Sequence, residues 1–418
     1  MNATSTAGSS SDYPRAIIHV DGDAFFASCE VAKNLSLRGK PMVVGGSRGI
    51  AVALTYEAKR LGVTRGMPVY QIKKMFPDVV ILPGDYDLYE MFARRMYAIV
   101  RRYTPVVEEY SVDECFADIT DMQTVLKKTY EEIAASIKES LESELGISFS
   151  VGLAVTKVLA KVASKYQKPS GLVCIRENTE REYLERVSVG SIWGIGRATA
   201  QFLYKNKIET ALQFIDQPEW WVVEHMARPH QKLWTELRGT SLYVVDPESS
   251  DLQKSIASTR TFRPPTTDKS FIFSQLSKNI ETACARARSH GLIAKRALCF
   301  LKSQEFQYRR FEIELVNHTN IPSQILAGVG SAFEKNFRPQ VLYRATGVTL
   351  SNVREDTIQQ GDLFENTERR ISETNVYEVI DTLEHKFGKH TIFLASSGQS
   401  FGRNRRRRMI GIPYLGTV

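Results

Sequence analysis

At 418 residues the chain is too long for one ordinary hydrophobic core, so two or more domains are expected. A hydrophobic fraction of 43% with 24% charged residues, and no apolar run near the ~20 residues that span a bilayer, exclude a protein of membrane-spanning helices and predict a cytoplasmic one. A net charge of +8 and a pI near 9.1 suit a polyanionic partner such as nucleic acid, and suit a merely basic protein equally well.

The opening MNATSTAGSSSDYP is small and polar and reads as a flexible leader over residues 1–14. Residues 15–21 alternate as a strand that delivers Asp21 and Asp23 at its tip, with Phe25 and Phe26 directly after. GKPMVVGG predicts a second strand over 41–44, and IAVALTY a third over 50–56 that runs into the helix-prone EAKRLGV. In YDLYEMFARRMYAIVRRY, Tyr89, Phe92, Met96, Ile99, Val100 and Tyr103 share one helical face. VVEEYSVDECFADIT reads as a hairpin with Asp113 and Glu114 at its turn. Over 130–145, Tyr130, Ile133, Ile137, Leu141 and Leu145 line a helix that Gly146 stops. ISFSVGLAV is a further strand, and KVLAKVASKYQ a short basic helix ending at KPSG. Strand, helix, hairpin, helix and strand in that order predict a split βαβ, ferredoxin-like sheet, with about 26–85 inserted into it. A new region opens with SIWGIGRATAQFLYKNKI, and the polar, acidic VVDPESSDLQ over 244–253 reads as a linker. Beyond it, strands in SIASTRTF, RALCFLK, RRFEIELV and RATGVTL alternate with two amphipathic helices, a second α+β domain up to about 353. The tail is polar, briefly apolar, then strongly basic at RNRRRR, 403–408. Five scattered cysteines (Cys29, Cys115, Cys174, Cys284, Cys299) form no CxxC pair or zinc spacing and fit reduced thiols.

Acids at a strand tip and at a hairpin turn are either ordinary solvated turn residues or parts of one site. In a split βαβ sheet the first strand and the hairpin are central neighbours, which lets Asp21 meet Asp113 and Glu114. Adjacent carboxylates repel unless a cation neutralises them. Hard oxygen ligands without His or Cys suit Mg²⁺, and a pair of such ions carries phosphoryl transfer. GIG, residues 194–196, between Trp193 and a basic amphipathic helix, fits a plain interhelical turn or a phosphate-binding one. Basic residues stud 254–353, Arg260, Arg263 and Arg344 among them; they read as a phosphate-facing surface or as a solvated charged face.

VDGDAFFASCE, TYEAKRLGV with GMPV, YSVDECFADIT and VGLAVTKVLAKVASKYQKPSGL, in this order and on through WGIG to the tail, resemble the Y-family translesion DNA polymerases. QGDLF followed by YEVIDTLEHKFGKHTIFLASSG looks most like the UmuC-type bacterial branch, the catalytic part of DNA polymerase V, with DinB-type enzymes close. The resemblance implies an α+β multidomain right-hand polymerase. Its parts would be a ferredoxin-like palm (15–25 and 86–175), small fingers (26–85), a helical thumb (176–243), a linker (244–253), an α+β little finger (254–353) and a tail (354–418). The thumb would carry a helix-hairpin-helix at about 190–210. The implied activity is DNA-templated addition of deoxynucleotides to a primer with low fidelity: translesion synthesis in DNA repair and the SOS response.

At matching positions the resemblance implies that Asp21, Asp113 and Glu114 are catalytic and hold two Mg²⁺ ions with the Gly22 carbonyl, leaving Asp23 structural. Phe26 would be the steric gate that rejects a ribose 2′-hydroxyl, with Phe25 beside it and directed more to the core. Tyr56, Lys59 and Lys168 would touch the triphosphate; lysine at 59, where many relatives have arginine, gives up the bidentate fork. Gly194, Gly196, Arg260, Arg263 and Arg344 would contact DNA, and Gln360, Leu363 and Phe364 would dock on the bacterial sliding clamp (β clamp). Primer–template DNA, deoxynucleoside triphosphates, the clamp and SOS accessory subunits are the implied partners, with no membrane. Two rivals stand beside this reading. A non-catalytic DNA-binding accessory of the family would lose the acids. A nucleotide cyclase on a similar sheet would need neither the GIG turn, the basic second domain nor the clamp peptide.

Overall fold

Ile17, Ile18 and Val20 have no exposed surface, because the strand that carries them, β1 (Ile17–Gly22), lies mid-sheet with neighbours on both sides. The structure is a computed structural model that describes residues 12–46, 49–248, 253–356 and 367–401, with side chains from 372 in the last segment. It divides into two units, one ending at Asp251 and the other starting at Leu252.

The first unit adds β2 (Met42–Val44), β3 (Ala53–Leu54), β4 (Val80–Leu82), β5 (Val107–Ser111), β6 (Glu114–Asp118), β7 (Phe149–Ala154) and β8 (Leu172–Ile175). Its main sheet runs β5-β6-β1-β7-β8, with β1 antiparallel to β6 and β7, and β7 parallel to β8. The first four of these strands interleave as a split βαβ unit. The fifth, β8, is not predicted above. Helix Tyr130–Leu145 starts on a capping box, Thr129 with Glu132, buries the five apolar residues named for it, and stops where Gly146 turns to φ 67°. Helix Tyr86–Val100 starts where Asp85 accepts from the Leu88 N–H at 3.2 Å. Helix Lys157–Tyr166 comes so near β7 that a Cβ on Gly152 would lie 2.2 Å from the Ala160 carbonyl oxygen. The small sheet β3-β2-β4 encloses a separate core of Val43, Ala51, Leu54, Ala58, Val63, Ile72 and Val79. Residues 241–246 are strapped down rather than loose: Arg15 donates to Ser241 Oγ at 2.9 Å, Lys157 to the Val244 carbonyl at 3.2 Å, and the Asp246 N–H to Glu108 at 2.9 Å.

The second unit is an antiparallel sheet of order β11-β10-β12-β9, from β9 (Ser255–Thr266), β10 (Leu292–Ser303), β11 (Tyr308–Thr319) and β12 (Tyr343–Glu355). Helices Lys269–Ser289 and Pro322–Asn336 cover one face. The tail re-enters this unit as helix Thr367–Phe387 and a turn at Ala395–Phe401, held to helix Lys269–Ser289 by a two-pronged Arg288–Asp381 pair at 2.7 and 2.8 Å. The expected clamp peptide, Gln360, Leu363 and Phe364, and the 403–408 basic cluster lie outside the described residues. Among the described residues no helix is long and apolar enough to cross a membrane. All five cysteines are free thiols, and burial pushes Cys115, Cys284 and Cys299 up to about 12.

Candidate active site

β1 ends by placing Asp21 directly opposite Glu114 of β6, and the Gly22 N–H donates to the Asp113 carbonyl at 2.8 Å. Asp21 is 6% exposed. Burial pushes its carboxyl up to about 6, and proton sharing with Glu114 adds to this; the Lys168 ammonium, 2.5 Å from Oδ1, pulls the other way. Burial also works against Glu114, but the Lys161 ammonium at 2.7 Å outweighs it and holds the carboxyl below its ordinary value. Asp113 turns its carboxylate to the Ser111 hydroxyl at 2.6 Å. Asp21 and Glu114 are therefore brought together, with Asp113 beside them and engaged elsewhere. Among the described residues no group of three or more His, Cys, Asp or Glu side chains is gathered as a metal cage. The donor set still fits a hard divalent cation. It offers only oxygens, and burial with the neighbouring Glu114 raises Asp21 even with Lys168 against it, so a further cation there would be stabilised.

Asp23, 1% exposed, is fully engaged: the Ser150 hydroxyl donates to it at 2.8 Å, the Ser170 N–H at 2.7 Å and the Tyr56 hydroxyl at 3.5 Å. It ties β1 to β7, to the loop after helix Lys157–Tyr166 and to the start of helix Tyr56–Arg60, which Thr55 caps. Lys59 lies 4.1 Å from the Tyr56 ring centre. Burial depresses its ammonium, and the positive charge of Lys168 depresses it further. Two cations and a phenol thus gather beside the two acids. Phe25 is buried in the core, its ring so close beneath Gly22 that a Cβ there would lie 2.5 Å from it. Phe26 stacks on Tyr89 at 4.2 Å and meets the edge of Tyr86 at 5.8 Å.

Sequence reading missed Lys161. It is 4% exposed and packs on Tyr110 at 4.2 Å, Trp193 at 5.4 Å and Phe116 at 5.8 Å while it pairs with Glu114. The signal was a lysine set among the apolar positions of a helix, which must find an acid. His19 is buried between Ser164, 2.7 Å away, and Phe116; burial and the surrounding lysines keep it neutral. Gly194 adopts φ 88°, and Gly196 is the N-cap of helix Arg197–Lys205, with open space where a side chain would stand. Arg260, Arg263 and Arg344 belong to the second unit, on β9 and β12.

Residues 20–165 match the impB/mucB/samB family, and residues 253–363 match the C-terminal domain of the same family. DNA polymerase IV of Listeria monocytogenes serotype 4b (strain CLIP80459) is 29% identical over 349 residues, 82% of this chain and 96% of that protein. DNA polymerase IV of Streptococcus pyogenes serotype M12 (strain MGAS2096) is 29% identical over 350 residues, 82% of this chain and 95% of that protein. Among solved structures, a Dbh-Dpo4-Dbh chimera of a Y-family DNA polymerase aligns at a TM-score of 0.68 and 23% identity, over 81% of this chain and 99% of that one. DinB from Sulfolobus solfataricus aligns at 0.52 and 24% identity over the same shares. These structures share the fold. The relatives overturn the UmuC-type expectation: the matches are of the polymerase IV and DinB type. Most of the segment that suggested the other branch lies past residue 363, where the C-terminal family match ends, and its described part packs on helix Lys269–Ser289 of the second unit.

Proposed function

The chain belongs to the impB/mucB/samB family of Y-family DNA polymerases, whose two matches together span more than half of it, and we infer its chemistry from that membership and from the paired acids. It is a DNA-directed DNA polymerase capable of translesion synthesis, associated with DNA repair and the SOS response. The observation that carries the assignment of residues is the buried Asp21–Glu114 pair at the end of the central strand, with Lys168 and Lys59 beside it.

In this proposal Asp21, Asp113, Glu114 and the Gly22 carbonyl hold two Mg²⁺. A metal pair held by these residues would supply Lewis-acid activation of the primer 3′-hydroxyl and charge neutralisation for the departing pyrophosphate. Lys168, Lys59 and Tyr56 take the β- and γ-phosphates, the lysines as point charges. Lys161 keeps Glu114 ionised for its task. Phe26, fixed by its stack on Tyr89, lies beneath the sugar and leaves no room for a 2′-hydroxyl. The fingers are the small β3-β2-β4 sheet, and the small residues Gly45, Gly46, Gly49, Ala51 and Ala53 are too spare to grip a base pair tightly. That favours low fidelity and entry of distorted template bases. The Gly194–Gly196 turn meets the duplex backbone, and Gln360, Leu363 and Phe364 form a sliding-clamp peptide.

Primer extension with Asp113→Ala and Glu114→Ala combined tests the assignment. Extension is expected to fall below detection while DNA binding persists, and surviving extension defeats it. Ribonucleotide addition by Phe26→Ala tests the gate in the same assay.

A further inference from the structure

The β10–β11 hairpin of the second unit carries two rings that no core claims. Phe306 is 60% and Tyr308 45% exposed. Each has cations against its face. Arg344 lies 4.4 Å from the Phe306 ring centre and Arg310 5.0 Å from that of Tyr308, while Lys302 sits between them at 4.7 and 4.6 Å. Phe300 extends the row, 5.4 Å from Tyr308, on the side of β10 opposite to Cys299 and Leu301, which enter the core. It lies across Gly347, where a Cβ would come within 2.6 Å of the ring.

Charge here is uncompensated. Among the described residues Lys302, Arg310 and Arg344 have no carboxylate partner; Glu305 is in the turn itself, and Glu312 and Glu314 further along face Arg296 at 3.7 and 3.8 Å. The backbone adds a second observation. Phe306 sits at φ 67°, the left-handed region where glycine or asparagine is far cheaper than a bulky residue. A phenylalanine held there, facing water, is not explained by packing.

We propose that this hairpin tip is a stacking site for unpaired bases of a DNA single strand, with Lys302, Arg310 and Arg344 on the intervening phosphates. The identity of the polymer rests on the polymerase reading above. Contacts to a duplex backbone need cations but no solvent-facing rings, since paired bases hide their faces. Open rings flanked by unpaired cations are what an unstacked strand recognises.

The test uses the full chain and two labelled probes of equal length and charge, a thymidine dodecamer and its abasic counterpart, followed by anisotropy across a salt series. The thymidine strand is expected to bind about tenfold more tightly than the abasic one. Phe306→Asn with Tyr308→Leu is expected to reduce thymidine binding to the abasic level with an unchanged salt slope. Lys302→Ala is expected to weaken both probes alike and flatten the slope by about one. Asparagine relieves the left-handed strain at 306, so the variant is expected to fold, which its melting temperature checks. Equal losses on both probes in the ring variant, or no loss on either, overturn the proposal. Primer extension over a one-nucleotide template overhang reports on the polymerase reading separately. The ring variant is expected to extend at the parental rate, and a parent unable to extend would sink that reading while leaving the stacking result intact.

Discussion

Asp21 is ionised at a cost in the metal-free protein. Its folded value of about 6 lies above the ordinary 3.8, so the folded state holds the proton more tightly than the unfolded chain does. The penalty is therefore absent below about pH 4, grows between pH 4 and 6, and is complete above that, at up to about 3 kcal/mol. Asp21→Asn removes it and leaves Lys168, a quarter of whose side chain meets water, solvated. Urea melts without divalent ions are expected to show the variant more stable than the parent at pH 8 and equal to it near pH 4, with polymerisation lost. A variant no more stable at pH 8 would refute the account. Lys161 acts in the opposite direction, holding a buried Glu114 ionised. With Lys161→Met, burial is opposed only by the weaker pull of the hydrogen bond with Asp21 and the charge of Lys165, and Glu114 rises. The acid limb of the pH–rate profile is then expected to move to higher pH, with the loss of extension largest at the acid end and recovered as the pH is raised. A uniform loss at every pH would mean the lysine does something else.

Helix Lys157–Tyr166 is where sequence and structure part company most instructively. It reads from sequence only as a short basic helix, yet Lys157 and Lys161 are buried, each with a carboxylate 49 or 47 residues away, Glu108 and Glu114. Periodicity reports which residues share a face, not which distant strand that face meets. Helices 86–100 and 130–145 were legible because their apolar stripes and, for the second, the Gly146 stop are local signals. β8 was not, since four residues after a KPSG turn carry too little pattern, and the strand exists only because β7 offers a free edge. The meeting of Asp21 with the 113–114 turn was legible at the level of topology, while the turning of Asp113 to Ser111 was not. Lys157 and Glu108, whose side chains are 6% and 10% exposed, form a two-pronged pair that also anchors residues 244–246. Lys157→Met strands a buried carboxylate and is expected to cost about 3–5 kcal/mol. Limited proteolysis is expected to cut sooner near 244–248. Adding Glu108→Gln should restore most of the stability, and a double variant as weak as the single would show that the pair's charge is not the cause.

The two units bury separate cores, and every tail contact described here is made with the second. The C-terminal family match ends at 363, so helix Thr367–Phe387 and the 395–401 turn are additions to the matched domain. They matter energetically because they complete half-buried polar groups on helix Lys269–Ser289. Asp381 pairs with Arg288, the Ser396 hydroxyl meets Ser277, and Ser397 and the Leu394 N–H satisfy Glu281, whose carboxyl burial pushes upward. Ending the chain after Asp356 returns those groups to water and exposes the apolar side of helix Lys269–Ser289 around Ala285 and Tyr377's former seat. A melting scan of the full chain is expected to resolve two transitions, one per unit. Truncation is expected to lower the second unit's by about 5–10 °C, the shift that roughly 2 kcal/mol produces in a domain of this size, and to leave the first unit's unchanged. If both transitions fell together, the tail would be stabilising the whole molecule rather than its second unit, and the contacts named here would be insufficient to explain its presence.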